Sequence, residues 1–382
     1  MRLLRALALF ALLSVVLTWP QARYLATHAT DHQDVYFNMW RFGWVAHALT
    51  SSAGLFDGNV FHPEPRVLTF SDALIVEALL AAPLLWAGLP PVLVHNLLLL
   101  GGIVFSGVGA FLLARHLTGS AAGGVVAGLI FAFAPYRFAH YMHMELQWAV
   151  WVPPAFLALD RAVETGKWRY GILTGVCVAL QFMSSIYYGV FLATLLGMVA
   201  VLLLISRRQQ WKKATAALAV GAALGAVLCL PYARPYLETR QDMGGRGEDE
   251  IATYSARPAD YLLATPGNFL HGERSGRRFH PERRLFPGVL AALLALTALM
   301  VSRPPVTVLV YLLALAAAFE MSLGIDSYAY GFLRAHIPVF GSLRAPARLG
   351  IFVLFFLGVL AAYGYAALEQ ALRPRFRVLM AV

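Results

Sequence analysis

The chain has 382 residues, 59% of them hydrophobic and only 13% charged, with a formal net charge of +10. A soluble globular chain carries roughly 25% charged residues, so this composition excludes an ordinary soluble enzyme and points to an all-α, polytopic membrane protein. The positive charge does not imply nucleic acid, because the cations fall between apolar runs rather than along one polar face.

Arg2 and Arg5 precede an apolar run from Ala6 to Trp19. No Ala-x-Ala-like cleavage site precedes Asp31 and further apolar runs follow, so this run reads as an uncleaved first helix rather than a signal peptide. Spans are then expected at 3–22, 91–114, 119–137, 147–164, 170–186, 188–206, 214–233, 286–302, 305–322 and 349–370, each near the roughly 20 residues a crossing needs. Ten spans running almost end to end make one helical bundle over 1–382, without repeats, low-complexity stretches or soluble linkers. Arg377 to Val382 reads as the start of another span, which points to a chain that continues. Cys177 and Cys229 each sit inside an apolar run and read as buried, inert thiols.

The segment 72–88 is apolar but short, and it carries Asp72, Glu77 and Pro83. Charge parity decides its place. The basic run from Arg207 to Lys213 should be cytoplasmic, as should Arg2, Arg5, Arg373, Arg375 and Arg377. With the N-terminus inside, an even number of spans must precede Arg207, which holds only if 72–88 does not cross. Residues 23–90 therefore form one large, membrane-hugging outer loop. A second outer loop, 234–285, holds nine arginines and eight carboxylates.

Asp31 and Asp34 sit at the start of that first loop. Carboxylates at the mouth of a membrane helix are costly to keep for packing alone, so they read as a site. A helix over about 34–50 would put Asp34, Asn38 and Arg41 on one face, with Trp40 and Trp44 suited to the headgroup level. The plain alternative is an amphipathic surface helix capped by Asp31. A second cluster is Tyr136, Arg137, His140, His143 and Glu145. The two histidines share a helical face, which leaves a divalent cation open; a polar contact to substrate or a purely structural role are the other readings.

In the 234–285 loop, Arg240 and Arg246 flank the flexible Gly244–Gly245 pair. The remaining arginines are Arg234, Arg257, Arg274, Arg277, Arg278, Arg283 and Arg284. Arginine forks onto phosphate oxygens as lysine does not, though solvated contact with lipid headgroups is the simpler account of most of them. Arg344 and Arg348, before the last span, hold a phosphate or anchor the helix. Gln181, Asn96 and Glu320 are polar outliers in apolar runs, read as helix–helix hydrogen bonding for the first two and access to water for the third. No Walker loop, dinucleotide fingerprint, Gly-x-Ser-x-Gly or His-Glu-x-x-His is present.

With the run from Asp34 to Trp40 where an acidic loop motif would stand, and 72–88 as the juxtamembrane helix after it, the arrangement resembles the GT-C superfamily of membrane glycosyltransferases. The stretches from Gly107 to His116 and from Ala127 to Tyr136 resemble GT-C-like bacterial membrane proteins. The acidic dipeptide of several GT-C families is replaced by Asp34-Val35, so Asp31 and Asp34 both stay candidates for the catalytic base. The resemblance implies a sugar donor on polyprenyl phosphate, an inverting transfer to a glycan, lipid or protein acceptor, and a site facing the periplasm from the bacterial inner membrane. Asp34 would be the base. Arg240, Arg246, Arg344 and Arg348 would hold the phosphate, and Arg137, Asn38, His143 and Glu145 would contact sugar or acceptor. The resemblance fixes no cofactor, and a divalent cation stays open. A transporter of lipid-linked sugars would show repeated halves and midplane charges. An envelope assembly protein is the third reading.

Overall fold

The computed structural model describes residues 3–268, 281–300 and 304–379. Arg2, Arg274, Arg277 and Arg278 lie outside the described residues, as do the side chains of Arg373, Arg375 and Arg377. The described chain is all helical, with no strand. Its helices are α1 (Leu3–Leu17), α2 (Gln33–Ala48), α3 (Ile75–Trp86), α4 (Pro91–Thr118), α5 (Ala121–Ala132), α6 (Pro135–Ala139), α7 (Met144–Gln147) and α8 (Val152–Thr165). Then come α9 (Trp168–Ser184), α10 (Ile186–Ser206), α11 (Trp211–Met243), α12 (Glu248–Thr253), α13 (Val289–Leu299), α14 (Val306–Ser322), α15 (Tyr328–His336) and α16 (Gly350–Leu379).

Among the described residues, five helical stretches are long and apolar enough to cross a membrane: Pro91–Thr118, Ala121–Ala139, Ile186–Ser206, Arg208–Met243 and Pro346–Leu372. Each of the ten expected spans coincides with a helix, but the other five (α1, α8, α9, α13 and α14) run only 11 to 17 residues. At 1.5 Å per residue the longest of these covers about 26 Å, a little short of a hydrocarbon core of about 30 Å. α3, which the parity argument keeps from crossing, has 12 residues and reaches about 18 Å.

α16 lies at the centre. Its first three turns or so, Ile351 to Ala362, are buried on nearly every face by α5, α13 and α14. α9 and α11 cross closely because they meet through glycines. A Cβ on Gly175 would overlap the Gly221 carbonyl, and one on Gly221 would overlap that of Gly171. The close approach lets backbone pack on backbone without large side chains between. α10 carries the chain from Ile186 to Arg207, about 31 Å away. There Arg207 donates to Asp160 at 2.8 Å and to Thr307 at 2.7 Å, while His116 meets Asp160 at 2.9 Å. This clamp closes the end of the bundle opposite Asp34.

The polar outliers have specific partners. Asn96 donates to the carbonyls of Leu25 and His28, so it ties α4 to a loop rather than to another helix. Gln181 donates to the Trp148 carbonyl at 2.7 Å. Glu320 accepts from Ser327 and from the Tyr328 amide, which caps α15. Both cysteines are free.

Candidate functional site

α2 begins one residue before the predicted start, and its N-cap is His32 rather than Asp31. His32 Nδ1 accepts the Asp34 amide at 3.2 Å. That ring nitrogen therefore has no proton to offer Asp34 Oδ2, 3.6 Å away. Asp31 stays exposed and accepts from the Tyr36 hydroxyl at 3.0 Å, outside the cavity described next.

The periodicity of α2 turns Asp34, Asn38 and Arg41 inward. Asp34 stands on the rim of a cavity of about 610 Å³, and Arg41 lines its wall. Arg41 is 2% exposed, lies 3.9 Å over the Phe37 ring and donates to Asn38 Oδ1 at 2.8 Å. Among the described residues no carboxylate lies within ion-pair distance of it. Asn38 itself does not reach the cavity; it orients Arg41.

The opposite walls come from distant parts of the sequence. Tyr236 on α11 donates to the Ser71 carbonyl and accepts the Ala73 amide, and Thr69 and Thr239 share a hydrogen bond at 2.6 Å. Arg66 adds ion pairs to Glu238 and Asp242. These contacts sew the end of α11 to the first loop. α11 stops at Gly244, whose φ of +81° suits glycine, and the chain folds over the cavity. The Arg246 amide then donates to the Gly341 carbonyl at 3.1 Å.

Seven residues singled out from sequence line this one cavity: Asp34, His143, Glu145, Arg240, Arg246, Arg344 and Arg348. Arg246 and Arg344 both reach Glu250 at 3.5 Å, and Arg344 also lies over the Tyr254 ring. Arg240 is half-buried and forms no ion pair among the described residues. Arg348 is already neutralised: it grips Glu282 with hydrogen bonds of 2.8 and 3.1 Å and lies over the Tyr187 ring. Arg137 is elsewhere. It is fully buried, donates to the carbonyls of Phe131 and Gln147, and holds α6 against α7.

Sequence reasoning left out Arg41, Asp72, Tyr187, Tyr236 and Glu282 as site residues. Arg41 was in register with Asp34 and Asp72 stood out as a charge in an apolar segment; the others had no signal before the loops were assembled. Asp72 accepts the Ile186 amide at 2.6 Å and so caps α10 from across the cavity. Burial pushes its carboxyl up to about 6, and the nearby Glu145 charge adds to the rise.

From the rim inward, four side chains follow one another. His143 Nε2 meets Asp34 Oδ2 at 3.0 Å. His143 Nδ1 faces His140 Nδ1 at 3.3 Å, and His140 Nε2 faces Glu282 Oε2 at 3.5 Å. The His143 hydrogen bond holds the Asp34 carboxyl below its ordinary value, with partial burial opposing. Burial pushes the His143 ring down, but the bond to Asp34 and the Glu145 charge outweigh it and the net shift is upward. Glu282 is held down at about 2, because Arg348 and then His140 overcome the burial that would raise it.

Within the described residues, the one cluster of three side chains close enough to share a metal is His116, Asp160 and Glu164, at the far end of the bundle. Its Asp160 is engaged by Arg207 and His116.

A second cavity, of about 500 Å³, is apolar and runs between α9, α10 and α11. It shares Phe182, Val190 and Val339 with the first, so the two are neighbours separated by these side chains. No protein-family model, curated protein or solved structure matches the chain.

Proposed function

We propose that the protein is an integral membrane glycosyltransferase that moves a sugar from a polyprenyl-phosphate donor to an acceptor hydroxyl. In this reading all ten apolar segments cross the bacterial inner membrane, and the Asp34 end faces the periplasm. The observation that carries the proposal is the shape of the site, an arginine-lined cavity lying beside an apolar groove. That is the negative image of an amphiphile with an anionic head.

The chemistry agrees at both ends. Arg41 and Arg240 face the cavity without a carboxylate partner among the described residues, which leaves their charge for a phosphate. Along α10 the groove reaches from Gly189 to Ala200, about 16 Å, or half of a hydrocarbon core of about 30 Å. Its walls are kept open by small residues, among them Gly197, Ala193 and Ala222. Both volumes fall in the range of roughly 300–1,000 Å³ typical of ligand sites.

Asp34 would accept the proton of the acceptor hydroxyl as its oxygen attacks the anomeric carbon from the face opposite the phosphate, inverting it. Arginine charge would stabilise the phosphate oxygen as it takes the electron pair of the broken bond. Membrane vesicles supplied with radiolabelled polyprenyl-phosphate hexose and pentose test this. The wild-type protein should transfer label, and Asp34→Asn should reduce transfer by about 10²–10⁴-fold. Undiminished transfer by Asp34→Asn would remove Asp34 from the mechanism.

A further inference from the structure

A carboxylate that a histidine keeps ionised is a poor final home for a proton, and the chain behind Asp34 offers a better one. We infer that His143 and His140 are positioning residues that, between Asp34 and Glu282, form a store for one proton. The source of that proton rests on the transfer reading above; the store itself does not.

The argument is a count. Three contacts separate the four groups: hydrogen-bond distances of 3.0 and 3.3 Å, and an ion-pair distance of 3.5 Å between His140 Nε2 and Glu282 that lacks hydrogen-bond geometry. A neutral imidazole carries one N–H, so two neutral rings bring two protons to three contacts. With both carboxylates ionised, one contact is left with two lone pairs facing each other. The two Nδ1 atoms can hold only one proton between them. A single added proton therefore leaves both hydrogen-bond contacts filled and sets an N–H facing the Glu282 charge, and it can move between the two rings by short shifts. The four groups then carry a net charge of −1 instead of −2.

The surroundings set where that proton rests. Arg348 neutralises Glu282 at the inner end, so the proton is favoured on the rings rather than on Glu282. Among the described residues, other charged or titratable groups that face the chain include His32 and Arg41 from α2, Glu145 beside the cavity, Tyr136 against the His140 ring and Tyr188 near Glu282. His140 is fully buried, whereas the Asp34 side chain is 41% exposed, so protons enter and leave through Asp34. In the transfer step the acceptor O–H breaks and its electron pair forms the new bond to the sugar carbon. The old sugar–phosphate bond leaves its pair on the phosphate, and the proton passes from Asp34 into the histidine pair. Asp34 is thereby returned to its ionised form before water re-enters.

The test is nitrogen NMR on the full-length, ¹⁵N-histidine-labelled protein in lipid nanodiscs, without any sugar donor. His140→Gln and His143→Gln assign the two rings. In the wild-type protein the expected results are a ¹⁵N–¹⁵N coupling across the Nδ1–Nδ1 contact and one shared titration for both rings. Asp34→Asn should lower the shared midpoint by about one pH unit or more. Two independent one-proton titrations, or a midpoint indifferent to Asp34→Asn, would overturn the inference. The coupling is read on the wild-type protein, so poorly folded variants do not blunt the test. The titration needs no transfer, so its failure and a failure of the glycosyltransferase reading show up in separate experiments.

Discussion

Arg348→Met is the substitution whose effect the structure sets most sharply. Arg348 and Glu282 are 7% and 6% exposed, joined by hydrogen bonds of 2.8 and 3.1 Å. Removing the guanidinium leaves an ionised carboxylate buried without its main counter-charge, which costs about 3–5 kcal/mol. With an unfolding entropy of roughly 2.1 cal/mol/K per residue over 382 residues, the melting temperature should fall by about 4–6 °C. Deleting both charges in Arg348→Met/Glu282→Met should restore most of that loss, because the penalty belongs to the orphaned charge and not to the missing bond. Thermal unfolding in nanodiscs at pH 7, followed by the emission of the eight tryptophans, measures both variants. A single variant that costs under about 1 kcal/mol, or a double variant worse than the single, would refute this reasoning.

Asp72, raised to about 6 against roughly 3.9 unfolded, costs stability above pH 6 and is relieved as pH falls through 6 toward 4. Asp72→Asn keeps the acceptor for Ile186 and should stabilise the protein at pH 7.5 by up to about 3 kcal/mol, with no gain at pH 4 in the same melting assay. The Asp34–His143 pair obeys two opposite signs. The contribution of Asp34 is present above its unfolded value and lost in acid; that of His143 is present below about 6.5 and lost as pH rises through its raised folded value. A pH series of melts should therefore show a wild-type advantage over His143→Ala that peaks between about pH 4 and 6.5. Ala193 is exposed on the groove wall, so Ala193→Phe should fill the groove without strain. Labelling by a photoreactive isoprenyl phosphate should then drop about tenfold, or about 1.4 kcal/mol, at an unchanged melting temperature.

Sequence alone determined that this is a helical chain with apolar runs suited to a membrane, and where its long helices lie. Composition and apolar run length carry that information locally, because a backbone in lipid must satisfy its own hydrogen bonds. The register of Asp34 with Arg41 was likewise local, since helical periodicity needs only neighbours in sequence. What the tertiary structure decided is which polar groups meet. Arg137 and His143 are six residues apart, yet one braces two short helices and the other reaches Asp34. Arg344 and Arg348 look alike in sequence, but Glu282, 66 residues before Arg348, neutralises only the latter. Asp72 reads as an unwanted charge in an apolar segment until α10 brings the Ile186 amide to it. Long-range pairing follows from how helices pack and where loops fold back, and no short stretch of sequence encodes that geometry.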